Sequence, residues 1–246
     1  MQGGCRTRVG PVNWENFHAA LLDLDGVITP TADVHMAAWA HLFTAYLAER
    51  GVLPYVDTDY YDYLDGKPRY AGVQTLLASR GLEVPYGDPS DPPTAETVCG
   101  LGNRKDAAFN EALAAGGIAA YPGSLQLLDF LDERGIAKAI VSSSKNARAV
   151  LSAAGILGRF PVIVDGTVAV EQGLPGKPAP DMFHFAADAL GVAHSKSVVV
   201  EDALSGVRAG AAGGFGLVVG VDRGTGAERL RAAGAALVIA DLAELI

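Results

Sequence analysis

Only two cysteines, Cys5 and Cys99, occur among 246 residues. No disulfide framework can brace so sparse a set, so a packed core must hold the fold, and a reducing cytoplasm is the expected setting. Long hydrophobic runs are missing as well. None approaches the ~18 residues that cross a bilayer, so no membrane partner is expected. The stretch Met1–Arg8 lacks the apolar segment of a secretory signal. Positive charge is in deficit, with 19 Lys and Arg against 28 Asp and Glu for a net −9. That excludes the chain-wide basic footprint of a nucleic-acid binder. Any anionic ligand must find its positive charge gathered at one place. Internal repeats and low-complexity blocks are also absent.

What the chain does have is Ala20-Leu21-Leu22-Asp23-Leu24-Asp25-Gly26-Val27-Ile28-Thr29. An apolar run flows into two carboxylates spaced i, i+2. The pattern predicts a buried strand over 19–28 that delivers Asp23 and Asp25 to one end, on one side. Two acids so placed are costly unless a cation shares the site.

From Thr31 to about Ala119 the pattern turns helical. Met36, Trp39, Ala40, Phe43 and Leu47 recur at helical spacing before Gly51. Residues 86–93 read as a loop, and a further helix is expected over 104–115. After Tyr121-Pro122-Gly123 strands and helices alternate. Helices are expected at 124–134, after Asn146 as a cap, at 180–190, 204–212 and 226–233. Strands are expected at 136–141, 161–165, 197–201, 216–221 and 236–240. This order predicts an α/β fold, a doubly wound parallel sheet with a Rossmann-like core. Such sheets bind ligands beyond the carboxyl ends of their strands. The expected division is a core of residues 1–31 and 120–246, with 32–119 inserted as an α-helical cap over that edge.

Four groups converge there: Asp23 and Asp25, then Ser142-Ser143-Ser144-Lys145-Asn146, then Gly176-Lys177-Pro178, then Glu201-Asp202. They combine carboxylates for a hard cation, hydroxyls and helix-start amides for phosphate oxygens, and a lysine for charge balance. All-oxygen ligands beside a phosphate suit Mg²⁺. A carboxylate next to Mg²⁺ and a lysine is a competent nucleophile toward phosphorus.

In this order the set resembles the four signature motifs of the haloacid dehalogenase superfamily. A narrower resemblance is to its β-phosphoglucomutase group, carried by Asp23–Thr31, His35, Trp39, Ser142–Asn146, Gly176–Asp181 and Glu201–Val207. The resemblance implies Asp23 as the nucleophile that is phosphorylated and Asp25 as general acid/base. Asp23, Asp202 and the Asp25 carbonyl would hold Mg²⁺, with Glu201 assisting through water. Ser142 and Lys177 would bind the transferring phosphoryl group, supported by Ser143 and Ser144. Lys145, Asn146 and Arg69 would hold a second phosphate, and Gly66 and Lys67 would belong to the sugar-facing cap loop. Thr31 and His35 would sit at the hinge and tune Asp25. Pro30 stands where the group usually has Asp, and Asp65 where its pattern has lysine. The implied activity is phosphoryl transfer between two hydroxyls of one hexose. A small sugar-phosphate phosphatase and a silent binding protein are the alternatives. The expected partner is a small phosphorylated sugar, and the expected state a monomer or weak homodimer.

Tyr60, Tyr61, Tyr63 and Tyr70 fit either a sugar pocket or cap core. His35 reads equally as packing or chemistry, while His18, His41, His184 and His194 show no ligand spacing. Cys99 reads as structural.

Overall fold

A computed structural model describes residues 12–246. Cys5 and the tail expected before residue 12 lie outside the described residues. Six strands among the described residues form one parallel sheet: β1 (Ala19–Leu22), β2 (Ala137–Val141), β3 (Val162–Val164), β4 (Ser197–Glu201), β5 (Leu217–Val221) and β6 (Leu237–Ile239). Their order is β3-β2-β1-β4-β5-β6. β1 therefore pairs with β2 and β4, Leu22 lying opposite Ile140 and Val200. The strands are apolar and β-branched because both sheet faces are covered. Successive residues go to opposite faces. Ala20, Leu22, Ile140, Val198 and Val200 join one core with α4 (Pro122–Glu133) and α5 (Ala147–Ala153). Leu21, Ala139, Val141 and Val199 join a second with α7 (Asp181–Ala189), α8 (Leu204–Ala212) and α9 (Ala227–Ala233). A short α6 (Gly166–Glu171) follows β3.

The inserted segment has its own core. Trp39, Phe43 and Leu47 of α1 (Thr31–Glu49) pack with Leu64, with Val73 and Leu76 of α2 (Arg69–Ser79), and with Leu101 of α3 (Val98–Ala115). Among the described residues, no helix is long and apolar enough to cross a membrane.

Several elements differ from the sequence reading. The strand expected over 19–28 ends at Leu22. Beyond it the amides of Ile28 and Thr29 donate to the Leu24 carbonyl, and that of Gly26 donates to Thr29, so the chain turns back. Gly26 enables this with φ 83°, a region open chiefly to glycine. The helix expected from Arg104 begins at Val98, because the Thr97 hydroxyl accepts from the Gly100 amide at 2.9 Å. Asn146 precedes α5 without capping it; its side chain turns to the cap instead. α2 was not separated within the helical stretch, and α6 was not anticipated. The Asp165 carboxylate caps α6 by accepting from the amides of Thr167 and Val168.

Candidate active site

Because β1 lies mid-sheet, its end projects Asp23 into the space above the carboxyl edge. The Asp23 amide donates to the Val200 carbonyl at 3.0 Å, which fixes the backbone against β4. Lys177 reaches the same point from the loop before α7. Its Nζ donates to Asp23 Oδ1 at 2.5 Å, Glu201 Oε1 at 2.5 Å and the Val141 carbonyl at 2.8 Å. All three ammonium donors are thus used. Burial alone would pull the Lys177 pKa down, but the carboxylates of Asp23 and Glu201 hold it above its ordinary value.

One ammonium does not balance the acids. Carboxylate oxygens of Asp23, Glu201 and Asp202 lie within 4.8 Å of one another, and all three residues are buried. Burial pushes the Asp202 carboxyl well up, reinforced by Asp65, Glu201, Asp23 and Asp25. Asp23 is raised as well, by burial first, with Lys177 opposing. Among the described residues no basic side chain pairs with Asp202. A buried, all-oxygen set with uncompensated negative charge fits a hard divalent cation. Space is tight on that side, since a Cβ on Gly26 would overlap the Asp202 carboxylate.

Asp25 sits in a different field. Thr31 Oγ1 donates to its Oδ1, and Ser142 Oγ lies 3.5 Å from its Oδ2. His35 Nε2 is 3.5 Å from Oδ1. Burial works to raise the Asp25 pKa, but His35 and the Thr31 hydroxyl prevail and lower it. His35 is itself shifted down, by burial and then by Lys105. Its Nδ1 pairs with Lys105 Nζ, and its ring stacks on Phe109 at 4.1 Å. An ammonium donating to Nδ1 leaves Nε2–H to face Asp25. His35 is therefore both packed and chemically engaged.

The serine run forms a cradle. Ser142 Oγ accepts from the Ser144 amide, and Ser144 Oγ accepts from the Asn146 amide, each at 3.1 Å. Ser143 Oγ donates to the Gly66 carbonyl at 2.8 Å, and Ser205 Oγ donates to the Asp65 carbonyl at 3.0 Å. These two bonds hold the cap loop against the core. Gly66 adopts φ 66°, and a Cβ there would strike Ser205 and Ala203.

Between core and insertion lies a cavity of about 500 Å³. Asp23, Asp25, Ser142 and Asp202 line it, and so do Arg69, Lys145 and Asn146. Lys67, Ser143, Ser144, Gly66 and His35 also reach it. Thr31, Lys177 and Glu201 stand behind the wall. Tyr60 and Tyr70 line the cavity, whereas Tyr61 and Tyr63 only pack against the insertion's core.

Sequence reasoning missed Lys105, Asp106 and Asn103, all on α3. Lys105 and Phe109 are spaced i, i+4 and share one face, which was the available signal. Asp65, noted only as a departure, is a half-buried wall residue whose carboxyl is pushed up to about 7 by desolvation, with Glu201 adding to it. The imidazoles of His184 and His194 stack 4.3 Å apart. Among the described residues, Asp23, Glu201 and Asp202 form the one group placed to hold a metal.

The chain is similar to known proteins along nearly its whole length. A family model for haloacid dehalogenase-like hydrolases matches residues 17–214. A β-phosphoglucomutase of Mycobacterium bovis is 46% identical over 243 residues, covering 94% of this chain and 92% of the relative. The β-phosphoglucomutase of Bacillus subtilis is 33% identical over 206 residues, covering 84% of each. The crystal structure of β-phosphoglucomutase from Clostridium difficile superposes with a TM-score of 0.76 at 26% identity, covering 94% of this chain and 93% of that one.

Proposed function

We propose a reaction for this chain, which belongs to the haloacid dehalogenase-like hydrolase family: phosphoryl transfer through phospho-Asp23 that converts β-glucose 1-phosphate into glucose 6-phosphate by way of the bisphosphate. The observation that carries it is one cavity lined both by Asp23 and Asp25 and by Arg69, Lys145 and Asn146. Lys177 holds Asp23 from behind, and the second set offers donors suited to a further phosphate. The similarity to β-phosphoglucomutases over nearly the whole chain supports the same reading.

Asp23 and Asp202, with the Asp25 carbonyl, would hold Mg²⁺, and Glu201 would orient them from behind through Lys177 and its bond to the Ala203 amide. When bound, the ion would supply positive charge to the transferring phosphoryl oxygens. Lys177, bonded to Asp23 from behind, would add to that charge, and the Ser142 hydroxyl in the cavity wall would help fix the group in line with Asp23. Asp25, kept ionised by Thr31 and His35, takes the proton of the sugar's 6-hydroxyl as O6 bonds to phosphorus and the Asp23–phosphorus bond breaks. The bisphosphate turns over in the cavity. Its other phosphate passes to Asp23, and Asp25 returns the proton to the departing O1. The same group thus serves as base and then acid.

Water must be kept from phospho-Asp23 in the meantime. The segment 32–119 acts as the lid over a core to which residues 12–31 and 120–246 belong. Its closure rests on the bonds of Ser143 to Gly66 and Ser205 to Asp65.

A second reading, a sugar-phosphate phosphatase, draws on the acidic Asp65 in the cap loop. ³¹P NMR with Mg²⁺, β-glucose 1-phosphate and a trace of glucose 1,6-bisphosphate separates the two. Growth of glucose 6-phosphate without free phosphate is expected. Growth of inorganic phosphate alone would replace the mutase by the phosphatase.

A further inference from the structure

Asp106 has no part in the reaction above, yet it lines the same cavity among the donors read as the second phosphate's site. Arg69 Nη2 lies 2.6 Å from Asp106 Oδ1. Asn146 Nδ2 donates to the same oxygen at 2.8 Å. One donor comes from the insertion and the other from the core, so a single carboxylate oxygen bridges the two bodies. Arg69 is also aimed from behind, through Nη1, by Asn103 Oδ1 at 3.3 Å. Asn103 is held in turn, donating to the carbonyls of Pro89 and Asp91. The loop at 86–93 thus anchors the guanidinium, and the carboxylate it presents to is Asp106. A guanidinium and an amide converging on one anionic oxygen is how proteins bind phosphate oxygens.

We propose that Asp106 is a specificity-determining residue, an internal counter-anion seated on the donors of the distal phosphate, which a substrate's second phosphate must displace. This rests on the reading of Arg69 and Asn146 as the distal phosphate site. Two like charges cannot share those donors without repulsion. Asp106 therefore weakens the site for every anion, and a ligand gains it only by bringing a competing dianion fixed at its other end. The effect keeps free phosphate off these donors and prevents the bisphosphate from being held so tightly that it cannot turn over. A purely structural ion pair at a partly exposed position would stabilise little and would leave anion affinity unchanged.

The test is a calorimetric titration of glucose 1,6-bisphosphate in saturating Mg²⁺, with Asp23→Asn as background to prevent turnover. Adding Asp106→Asn is expected to tighten the bisphosphate by about tenfold or more, and the gain should vanish when Arg69→Ala is also present. Asp106→Ser, which removes the charge with a smaller side chain, must act in the same direction. Unchanged or weaker binding in both Asp106 variants, or a gain that survives loss of Arg69, would overturn the proposal. The titration reads binding alone, so failure of the mutase reading shows separately, as inorganic phosphate in place of glucose 6-phosphate with the unsubstituted protein.

Discussion

Lys177 Nζ lies 2.5 Å from Asp23 Oδ1, and both groups are buried. The lysine stands 154 positions along the chain from the aspartate, so only the sheet can bring them together. The contact offsets the charge of two of the three acids gathered at this sheet edge, Asp23 and Glu201. Removing the ammonium should leave Asp23 and Glu201 as uncompensated buried charges. Lys177→Met should therefore cost about 3–5 kcal/mol of stability, read as a lower urea midpoint. A loss under about 1 kcal/mol would mean that the acids take up protons instead.

Asp23→Asn should abolish turnover and eliminate acid-stable labelling of the protein by phosphate donors. Asparagine keeps the shape but offers no nucleophilic oxygen of comparable strength. Substantial residual turnover would remove Asp23 from its role.

Asp25→Asn should leave the fold intact and slow transfer by roughly 10²–10⁴. Near-native rates would show that solvent can move the proton. Because His35 and Thr31 hold the Asp25 pKa below the usual carboxylate range, the base stays ready at neutral pH.

Lys105 gives a pH dependence of stability. Burial pulls its pKa down to about 7, although the rings of Trp39 and Phe109, 5.0 and 4.9 Å from Nζ, favour the cation. In the unfolded chain a lysine titrates near about 10.4. Between these values the unfolded state binds more protons, so stability rises with pH across that window and is lost as pH falls toward 7. Below 7 the contribution is constant. Lys105→Met should flatten this part of the profile, measured as urea midpoints near neutrality and at about pH 9. An equal rise in both proteins would mean that Lys105 stays charged when folded.

Divalent metal should stabilise the protein by mass action, by about 2.7 kcal/mol at a hundredfold excess over Kd. The melting temperature should rise on adding Mg²⁺ and return with a chelator. Asp202→Asn should lose most of that shift. A variant that keeps the full shift would move the ion elsewhere.

The sheet was legible because its strands must be apolar on both faces. Ser197–Glu201 and Leu204–Ala212 coincide with expectation residue for residue or nearly so. The strand through Asp25 was overextended because Gly26-Val27-Ile28 is apolar enough to continue it. The turn was made by hydrogen bonds to Leu24 and Thr29 that no periodicity records. Asn146 read as a cap by residue type, yet a better partner, Asp106, came from another body.

By itself the sequence singled out the candidate residues and their order, because Asp23, Ser142 and Glu201-Asp202 each close or follow an apolar run and Lys177 stands in the loop before a helix. It also determined the layered parallel fold, since the succession of short apolar runs and helical periodicities is local and can be read along the chain. Only tertiary structure decided how charge is shared. Lys177 bonds two acids while Asp202 has no basic partner among the described residues, Lys105 reaches His35 across 70 positions, and Asp106 takes the donors of Arg69 and Asn146. Electrostatic pairing depends on distance and burial in space, and neither quantity is written along the chain.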